Sequence, residues 1–187
     1  MINEILDYNK RFVENKEYEP YIATKFPDKQ MAIVTCMDTR LIELLPKALN
    51  LKNGDAKIIK TAGGIISHPF GSVMRSLLIS IYELGVKEVF VIGHHQCGMS
   101  ATNPKNVQKK MIDAGIPEEN LELLKFAGIN LDKFLVGFDD VGESVKHSVS
   151  IIRNHPLIPK HIPVHGLVID PLTGKLDVVD KDLSSEL

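Results

Sequence analysis

Two short stretches of the 187-residue sequence combine residue types that bind metal ions. The first runs Cys36-Met37-Asp38-Thr39-Arg40, and the second runs Gly93-His94-His95-Gln96-Cys97-Gly98. A histidine and a cysteine three residues apart can reach one ion from a single loop, and thiolates together with imidazole suit zinc. Cys36, His94 and Cys97 are therefore candidate zinc ligands, and they leave a fourth position for water or a carboxylate.

The number of candidate ligands separates catalytic from structural zinc chemistry. Structural sites are usually closed by four cysteine or histidine ligands, but this chain has only two cysteines. An open fourth position is typical of catalytic zinc, which lowers the pKa of bound water to roughly 7 and so yields zinc-bound hydroxide near neutral pH. The sequence thus favours an enzyme with one zinc ion per chain.

Asp38 and Arg40 follow the candidate ligand Cys36 and are separated by one residue. Alternate residues of an extended segment point the same way, so the carboxylate and the guanidinium can pair. A paired Asp38 stays ionised and can accept a hydrogen bond from zinc-bound water. If the pair breaks, Asp38 can instead become the fourth zinc ligand, so the same residues predict an open and a closed state.

The patterns around these motifs predict an α/β fold with a mainly parallel sheet of about four to five strands flanked by helices. Short apolar runs, typical of buried strands, occupy residues 31–36, 57–61, 88–93, 163–169 and, as an edge strand, 175–179. Helical patterns occupy residues 41–45, 67–84, 108–114, 121–127 and 141–154, after an amphipathic arm of one or two helices at 1–28. Ligands bind at the carboxyl ends of parallel strands, so both cysteines lie where a site is expected.

The composition is that of a soluble globular protein, with 44% hydrophobic residues, 25% charged residues and a formal net charge of −2. No dense cluster of Lys and Arg indicates nucleic-acid binding, and no run of 18 apolar residues indicates a membrane span. Charges interrupt the first 20 residues, unlike a signal peptide, so we expect a cytoplasmic protein. We expect residues 1–187 to form a single domain, with residues 1–28 as its helical arm.

The same residues also allow plainer interpretations. Cys36 and Cys97 can be two small buried side chains with His94 as a loop histidine, and Asp38 with Arg40 can be a structural ion pair. A redox thiol protein fits less well, because the cysteines lack Cys-x-x-Cys spacing. Another alternative is a non-catalytic zinc-binding module that Asp38 keeps closed, although such a module has no need of Arg40 to free the carboxylate.

In this order, the two motifs resemble the Cys-x-Asp-x-Arg and Gly-His-x-x-Cys-Gly signatures of β-class carbonic anhydrases, and most of all those of the compact bacterial branch. Residues 61–64 resemble the Ala-Gly turn of that family, and residues 164–176 resemble its late strand and hairpin. Where family members often have Arg-Asn before the turn, this chain has Lys60 and Thr61.

The resemblance implies a mainly parallel sheet, a zinc ion held by Cys36, His94 and Cys97, and an Asp38–Arg40 dyad beside it. It also implies that the backbone amide of Gly98 lies near bound substrate. The implied reaction is the reversible hydration of carbon dioxide to bicarbonate and a proton, and the implied assembly is a homodimer or a tetramer of dimers. The same branch resembles enzymes that hydrolyse carbonyl sulfide or carbon disulfide, so these two gases are alternative substrates.

Apolar residues beside the motifs indicate what kind of substrate fits. The expected walls of a narrow, dry pocket are Ile65, Ile66, Phe70 and Met99, which flank the proposed site in the sequence. Such a pocket suits a small neutral gas better than a phosphate or a sugar. His68 is the candidate proton shuttle, because it follows the Gly63-Gly64 turn.

Overall fold

A five-stranded sheet forms the centre of the protein, whose structure, a computed structural model, describes residues 1–182. The strands are β1 (Met31–Cys36), β2 (Ala56–Thr61), β3 (Glu88–His94), β4 (Val164–Ile169) and β5 (Leu176–Asp180). They are ordered β2-β1-β3-β4-β5; the first four are parallel, and β5 runs antiparallel to β4 at the edge. The predicted α/β fold with a mainly parallel sheet is confirmed.

Helices connect and cover the strands. Within residues 1–182 they are α1 (Ile2–Glu14), α2 (Leu41–Ala48), α3 (Ser72–Tyr82), α4 (Pro104–Asp113), α5 (Glu118–Phe126), α6 (Leu131–Leu135) and α7 (Val141–Arg153). Short 3-10 turns lie at Glu19–Tyr21, Ala62–Gly64 and Gly98–Ala101. The crossovers through α2 and α3 return the chain parallel to the preceding strand, so β1, β2 and β3 all end at one edge of the sheet.

The core forms one layer on each face of the sheet. Ala32 and Val34 of β1 belong to the layer that contains α3 and α7, whereas Ile33 belongs to the layer that contains Leu41 and Leu45 of α2. Successive side chains of a strand point to opposite faces, so both faces of β1 are covered, which explains its unbroken apolar sequence. Both cysteines pack within the α2 layer.

The helix predicted at residues 67–84 is shorter in the structure, where α3 begins at Ser72 and ends at Tyr82. Pro69 disfavours a helical conformation at the residue before it, and Gly71 has an extended backbone. Residues 67–71 therefore form a loop that follows the Gly63-Gly64 turn. The predicted helices at 108–114 and 121–127 correspond to α4 and α5, while the five-residue α6 was not predicted.

The N-terminal helix α1 buries none of its residues against the rest of the described chain. Its apolar side chains Ile2, Ile5, Leu6 and Val13 are all more than half exposed. The second helical piece of the N-terminal stretch is only the 3-10 turn at Glu19–Tyr21. No helix within residues 1–182 is both long enough and apolar enough to cross a membrane.

Candidate metal centre

The three candidate ligands converge at the carboxyl ends of β1 and β3. Cys36 is the last residue of β1, His94 is the last residue of β3, and the two strands are parallel neighbours. Cys97 lies three residues beyond His94, at the start of the 3-10 turn Gly98–Ala101. The two Sγ atoms and a His94 ring nitrogen lie within 4.8 Å of one another, and the Sγ atoms are 3.8 Å apart. Such a group can hold a metal ion.

The orientation and burial of His94 fit a metal ligand. The side chain is almost fully buried, with 1% exposure, and its Nδ1 donates a hydrogen bond to the His95 carbonyl oxygen at 2.9 Å. That bond leaves the lone pair on Nε2, which is buried and has no hydrogen-bond partner among the described residues. An unpaired buried nitrogen is costly unless something binds it. A metal ion beside the two thiols would satisfy it.

The two cysteines differ in how readily they ionise. Burial would raise the pKa of Cys36, but the adjacent His94 ring and the backbone N–H groups of Asp38 and Gly63 outweigh it and lower the pKa to about 7. Burial raises the pKa of Cys97 to about 11, and the nearby Cys36 thiolate adds to the rise. Two thiolates this close repel each other, so both can be ionised only beside a cation. The donor set therefore suits a divalent metal such as zinc.

Asp38 and Arg40 form the ion pair that their spacing predicts. Arg40 donates from Nε to Asp38 Oδ1 at 2.9 Å and from Nη2 to Asp38 Oδ2 at 2.8 Å, while its backbone N–H also donates to Oδ1. These bonds hold the pKa of Asp38 well below its usual range. Oδ2 lies 3.7 Å from His94 Nε2, so an ionised carboxylate stands beside the three candidate ligands.

Gln96 also belongs to the candidate site, although the sequence analysis did not select it. Its backbone carbonyl accepts a hydrogen bond from Arg40 Nη2 at 3.0 Å, and its side-chain Oε1 lies 3.5 Å from Arg40 Nη1. Gln96 adopts the left-handed conformation, with φ of 54°. The sequence indicated only that Gln96 lies between His94 and Cys97. This position does not predict that Gln96 contacts Arg40.

A tight turn after β2 supports the cysteine at the end of β1. Gly63 and Gly64 both have positive φ, of 74° and 69°, which favours glycine. A Cβ at Gly64 would lie 3.4 Å from the backbone of Cys36, so the turn packs directly against the strand end. Thr61 anchors the same turn by donating from Oγ1 to the Ile65 carbonyl at 3.3 Å. The Ala-Gly motif thus shapes the wall behind Cys36.

The predicted wall residues divide into two groups. Ile65 and Met99 both have atoms 3.0 Å from where a Cβ of Gly63 would lie, and Met99 packs against the layer that contains both cysteines. Ile66 instead packs in the opposite layer, with α3 and α7. Phe70 is 68% exposed and lies on the ring of His155, with ring centroids 4.9 Å apart. Of the four predicted wall residues, only Ile65 and Met99 therefore lie beside the Gly63-Gly64 turn, which packs against Cys36.

Gly98 and His68 are the remaining candidate residues, and His95 lies next to the candidate ligand His94. The space in front of Gly98 is open, because a Cβ placed there would meet no atom within 4 Å. His95 is exposed and contributes its carbonyl oxygen, which fixes the ring of His94. His68 is also exposed, and its Nδ1 accepts a hydrogen bond from the backbone N–H of Phe70.

Comparison with known proteins agrees with this geometry. The family sequence model described as Carbonic anhydrase matches residues 31–176. YvdA of Bacillus subtilis, which bears the provisional name of a carbonic anhydrase, is 59% identical over 186 residues, or 100% of this chain and 94% of YvdA. The crystal structure of β-carbonic anhydrase isoform I of Trichomonas vaginalis is similar with a TM-score of 0.88 and 40% identity, covering 97% of this chain and 98% of that chain.

A relative with a different substrate also matches. The carbon disulfide hydrolase of Acidithiobacillus thiooxidans is 31% identical over 157 residues, or 80% of this chain and 76% of that protein. The family match over residues 31–176, the level of identity and the shared fold all point the same way. The chain belongs to the β-carbonic anhydrase family and is an enzyme of that kind.

Proposed function

We propose that this enzyme catalyses the reversible hydration of carbon dioxide to bicarbonate and a proton, with one zinc ion per chain held by Cys36, His94 and Cys97. The observation that carries the proposal is the convergence of two thiols and a ring nitrogen of His94 within 4.8 Å, with a buried and unpaired His94 Nε2, beside an ionised Asp38. Three such ligands leave a fourth position for water, as in catalytic rather than structural zinc sites.

The metal and the dyad have separate tasks. Zinc, when bound, supplies Lewis-acid activation that lowers the pKa of a water molecule and makes it a nucleophile near neutral pH. Asp38, held ionised, would accept a hydrogen bond from such a water molecule and orient it towards the substrate carbon. Arg40 engages both carboxylate oxygens of Asp38, which keeps the carboxylate ionised and restrains it from binding the metal itself.

The surroundings suit a small neutral substrate. Ile65 and Met99 give the site apolar walls next to the Gly63 turn. A Cβ at Gly98 would meet no atom within 4 Å, and we assign its backbone amide the contact with an oxygen of the substrate or of bicarbonate. Positioning a small gas beside an activated nucleophile supplies much of the rate, so tight apolar walls matter more than charged clamps.

Hydrolysis of carbon disulfide or carbonyl sulfide is the second candidate function, and the related carbon disulfide hydrolase favours keeping it. All three gases are attacked at the same kind of electrophilic carbon, and sulfur is larger than oxygen. The third alternative, a non-catalytic zinc module closed by Asp38, has less support, because both oxygens of Asp38 are engaged by Arg40.

Specificity constants for carbon dioxide and carbon disulfide, measured on one zinc-loaded preparation, test the choice of substrate. We expect carbon dioxide to be preferred by orders of magnitude. A preference for carbon disulfide would overturn the hydration reaction and retain the metal chemistry. The Met99→Ala variant is a useful companion, because widening the wall beside Gly63 should raise the relative rate with carbon disulfide.

We also propose a homodimer, or a tetramer of dimers, in the cytoplasm. The support is the apolar side of α1, where Ile2, Ile5, Leu6 and Val13 remain exposed in the isolated chain. Exposed apolar stripes of this kind usually pack against a partner. Light scattering at micromolar concentration should give at least twice the chain mass, whereas a monomer would contradict the proposal.

A further inference from the structure

We propose that Gln96 is a positioning residue, whose left-handed backbone aims its carbonyl at Arg40 and so holds the Asp38–Arg40 pair in the open arrangement. The inference rests on the proposed function, because it concerns how the zinc site is kept available to substrate. It assigns Gln96 an action through Arg40 rather than any contact with the reacting atoms.

The contacts of Arg40 show where its guanidinium is anchored. Nε and Nη2 donate to Asp38, two residues away, and Nη2 also donates to the Gln96 carbonyl at 3.0 Å, on the loop that carries His94 and Cys97. The Gln96 side chain lies at the outer limit of a hydrogen bond, at 3.5 Å, so the carbonyl is the stronger acceptor. Arg40 therefore ties the Cys36 loop to the His94–Cys97 loop.

This anchor matters because the bonds between Arg40 and Asp38 do not by themselves fix the pair relative to the His94–Cys97 loop. The side chain of Arg40 is 37% exposed, and a long exposed side chain pays rotamer entropy to stay in one place. Oδ2 of Asp38 lies only 3.7 Å from His94 Nε2, so a small movement would bring the carboxylate to the metal position. An Arg40 that is bonded to both loops opposes that movement.

The backbone conformation of Gln96 provides the means to test the anchor. With φ of 54°, Gln96 lies in a region that glycine adopts freely and β-branched residues avoid. Gln96→Gly keeps the conformation and the carbonyl while removing the side chain. Gln96→Val opposes the conformation and should turn the carbonyl away from Arg40.

Gln30 offers a matched control for backbone strain. It is also an exposed glutamine with positive φ, of 51°, but it precedes β1 at the opposite end of that strand from Cys36. Gln30→Val and Gln30→Gly should therefore reproduce the cost of strain in thermal unfolding without altering the site. Activities are compared only between variants that bind one zinc ion and unfold cooperatively.

The expected result is a split between the two substitutions at residue 96. Gln96→Val should lower kcat/KM by about tenfold or more, as for the loss of a hydrogen bond to a charged group. Gln96→Gly should stay within about threefold of the parent, since the carbonyl is retained. Equal loss in both variants would overturn the proposal, because the side chain or the loop itself would then be responsible.

Zinc release to a chelator gives a readout that does not depend on activity. If Gln96→Val frees Asp38 to become a fourth ligand, zinc should leave more slowly than from the parent and from Gln96→Gly. If Gln96 merely supports the loop of His94 and Cys97, the same substitution should weaken the site and speed zinc release. Faster release would therefore overturn the proposal.

A double-mutant cycle tests the route through Arg40. In an Arg40→Ala background, Gln96→Val should change kcat/KM and zinc release by less than about twofold, because the anchored group is already absent. Additive effects would show that Gln96 acts independently and would overturn the proposal. If the zinc-loaded parent does not hydrate carbon dioxide at all, the proposed function fails, and the chelator experiment still decides the role of Gln96.

Discussion

The carboxyl edge of the sheet and the α4–α6 segment (residues 104–135) are opposite kinds of structure in one chain. At the sheet edge the candidate ligands Cys36, His94 and Cys97 are at most 5% exposed and each is fixed by its neighbours. In the α4–α6 segment no residue is buried, and large apolar side chains such as Phe126, at 92%, are exposed. The first region is specified by packing, and the second is specified mainly by local helix signals.

Burial at the strand ends explains why the candidate metal site lies there and not in the α4–α6 segment. A metal site needs donor atoms held within a fraction of an ångström, which buried strand ends provide and exposed helices do not. Within the α4–α6 segment the polar contacts are of another kind, such as the surface ion pair between Lys105 and Asp132 at 3.0 Å. Substitutions of matched type in the two regions should therefore have very unequal effects.

The largest expected effect follows removal of a candidate ligand. Cys97→Ser should lower zinc content to less than about a tenth of an ion per chain and reduce activity by at least about a thousandfold. It should also destabilise the fold, because metal binding is coupled to folding. Metal analysis, stopped-flow assay and thermal unfolding measure these effects, with the exposed-site variant Leu123→Ala as control. Full zinc content in Cys97→Ser would remove Cys97 from the ligand set.

The next effect compares two short ion pairs. Arg40→Ala should reduce kcat/KM by roughly 10- to 100-fold, since two charge-assisted hydrogen bonds to Asp38 are lost and the carboxylate is free to close the site. Lys105→Ala, which breaks a pair of similar length on α4, should leave kcat/KM unchanged. Equal activity of the two variants, with zinc retained in both, would exclude the dyad from the mechanism.

Gly63, beside the candidate site, and Gly128, in the α4–α6 segment, have similar backbone conformations but different surroundings. Gly63, with φ of 74°, has Ile65 and Met99 atoms 3.0 Å from where a Cβ would lie, whereas Gly128, with φ of 83°, has no atom within 4 Å. Both Gly→Ala changes should cost about 1–2 kcal/mol through the left-handed backbone. Crowding by Ile65 and Met99 should lower the free energy of unfolding of Gly63→Ala by about 1 kcal/mol more, and it should also lower the activity. Chemical denaturation and the hydration assay would detect the difference between the two variants. Equal effects of the two substitutions would contradict the prediction.

The sequence predicted the sheet edge well for physical reasons. Strands β1 and β3 are covered on both faces, so their apolar runs are continuous, and the spacing of His94 and Cys97 is one that lets both side chains reach a single ion. The anchoring role of Gln96 was not predictable, because its left-handed backbone is imposed by the loop and not by its residue type. The choice between Ile65 and Ile66 as a wall residue likewise depended on which face of the sheet each reaches.

The α4–α6 segment was only partly predictable, since its helices lack a buried face. Apolar spacing located α4 and α5 but missed their first residues, Pro104 and Glu118. The five-residue α6 is too short for helical periodicity to indicate it. The start of α3 was missed because the effects of Pro69 and Gly71 outweighed the helical pattern around them.

The smallest expected effects concern pH and the two aspartates. Hydrogen bonds from Arg40 and from Lys105 lower the pKa of Asp38 and Asp132, respectively. A lowered folded-state pKa stabilises the protein above the unfolded pKa, and that contribution is lost as pH falls through the folded value. Arg40→Ala should therefore make the free energy of unfolding less dependent on pH in the acid range. Lys105→Ala should have a smaller effect of the same sign, because Asp132 is exposed and its charge is screened by solvent. Unfolding midpoints between about pH 6 and pH 3 measure this, and equal pH dependence would contradict it.

Titration of metal-free protein with zinc, with carbon dioxide hydration followed by stopped flow, tests directly whether this chain is a zinc-dependent carbonic anhydrase. We predict that the rate rises linearly with added zinc and stops rising at one ion per chain, and that Cys97→Ser shows no such rise. The proposed hydration activity would be contradicted if the folded protein binds one zinc ion per chain but does not accelerate the hydration of carbon dioxide at any pH between about 6 and 9.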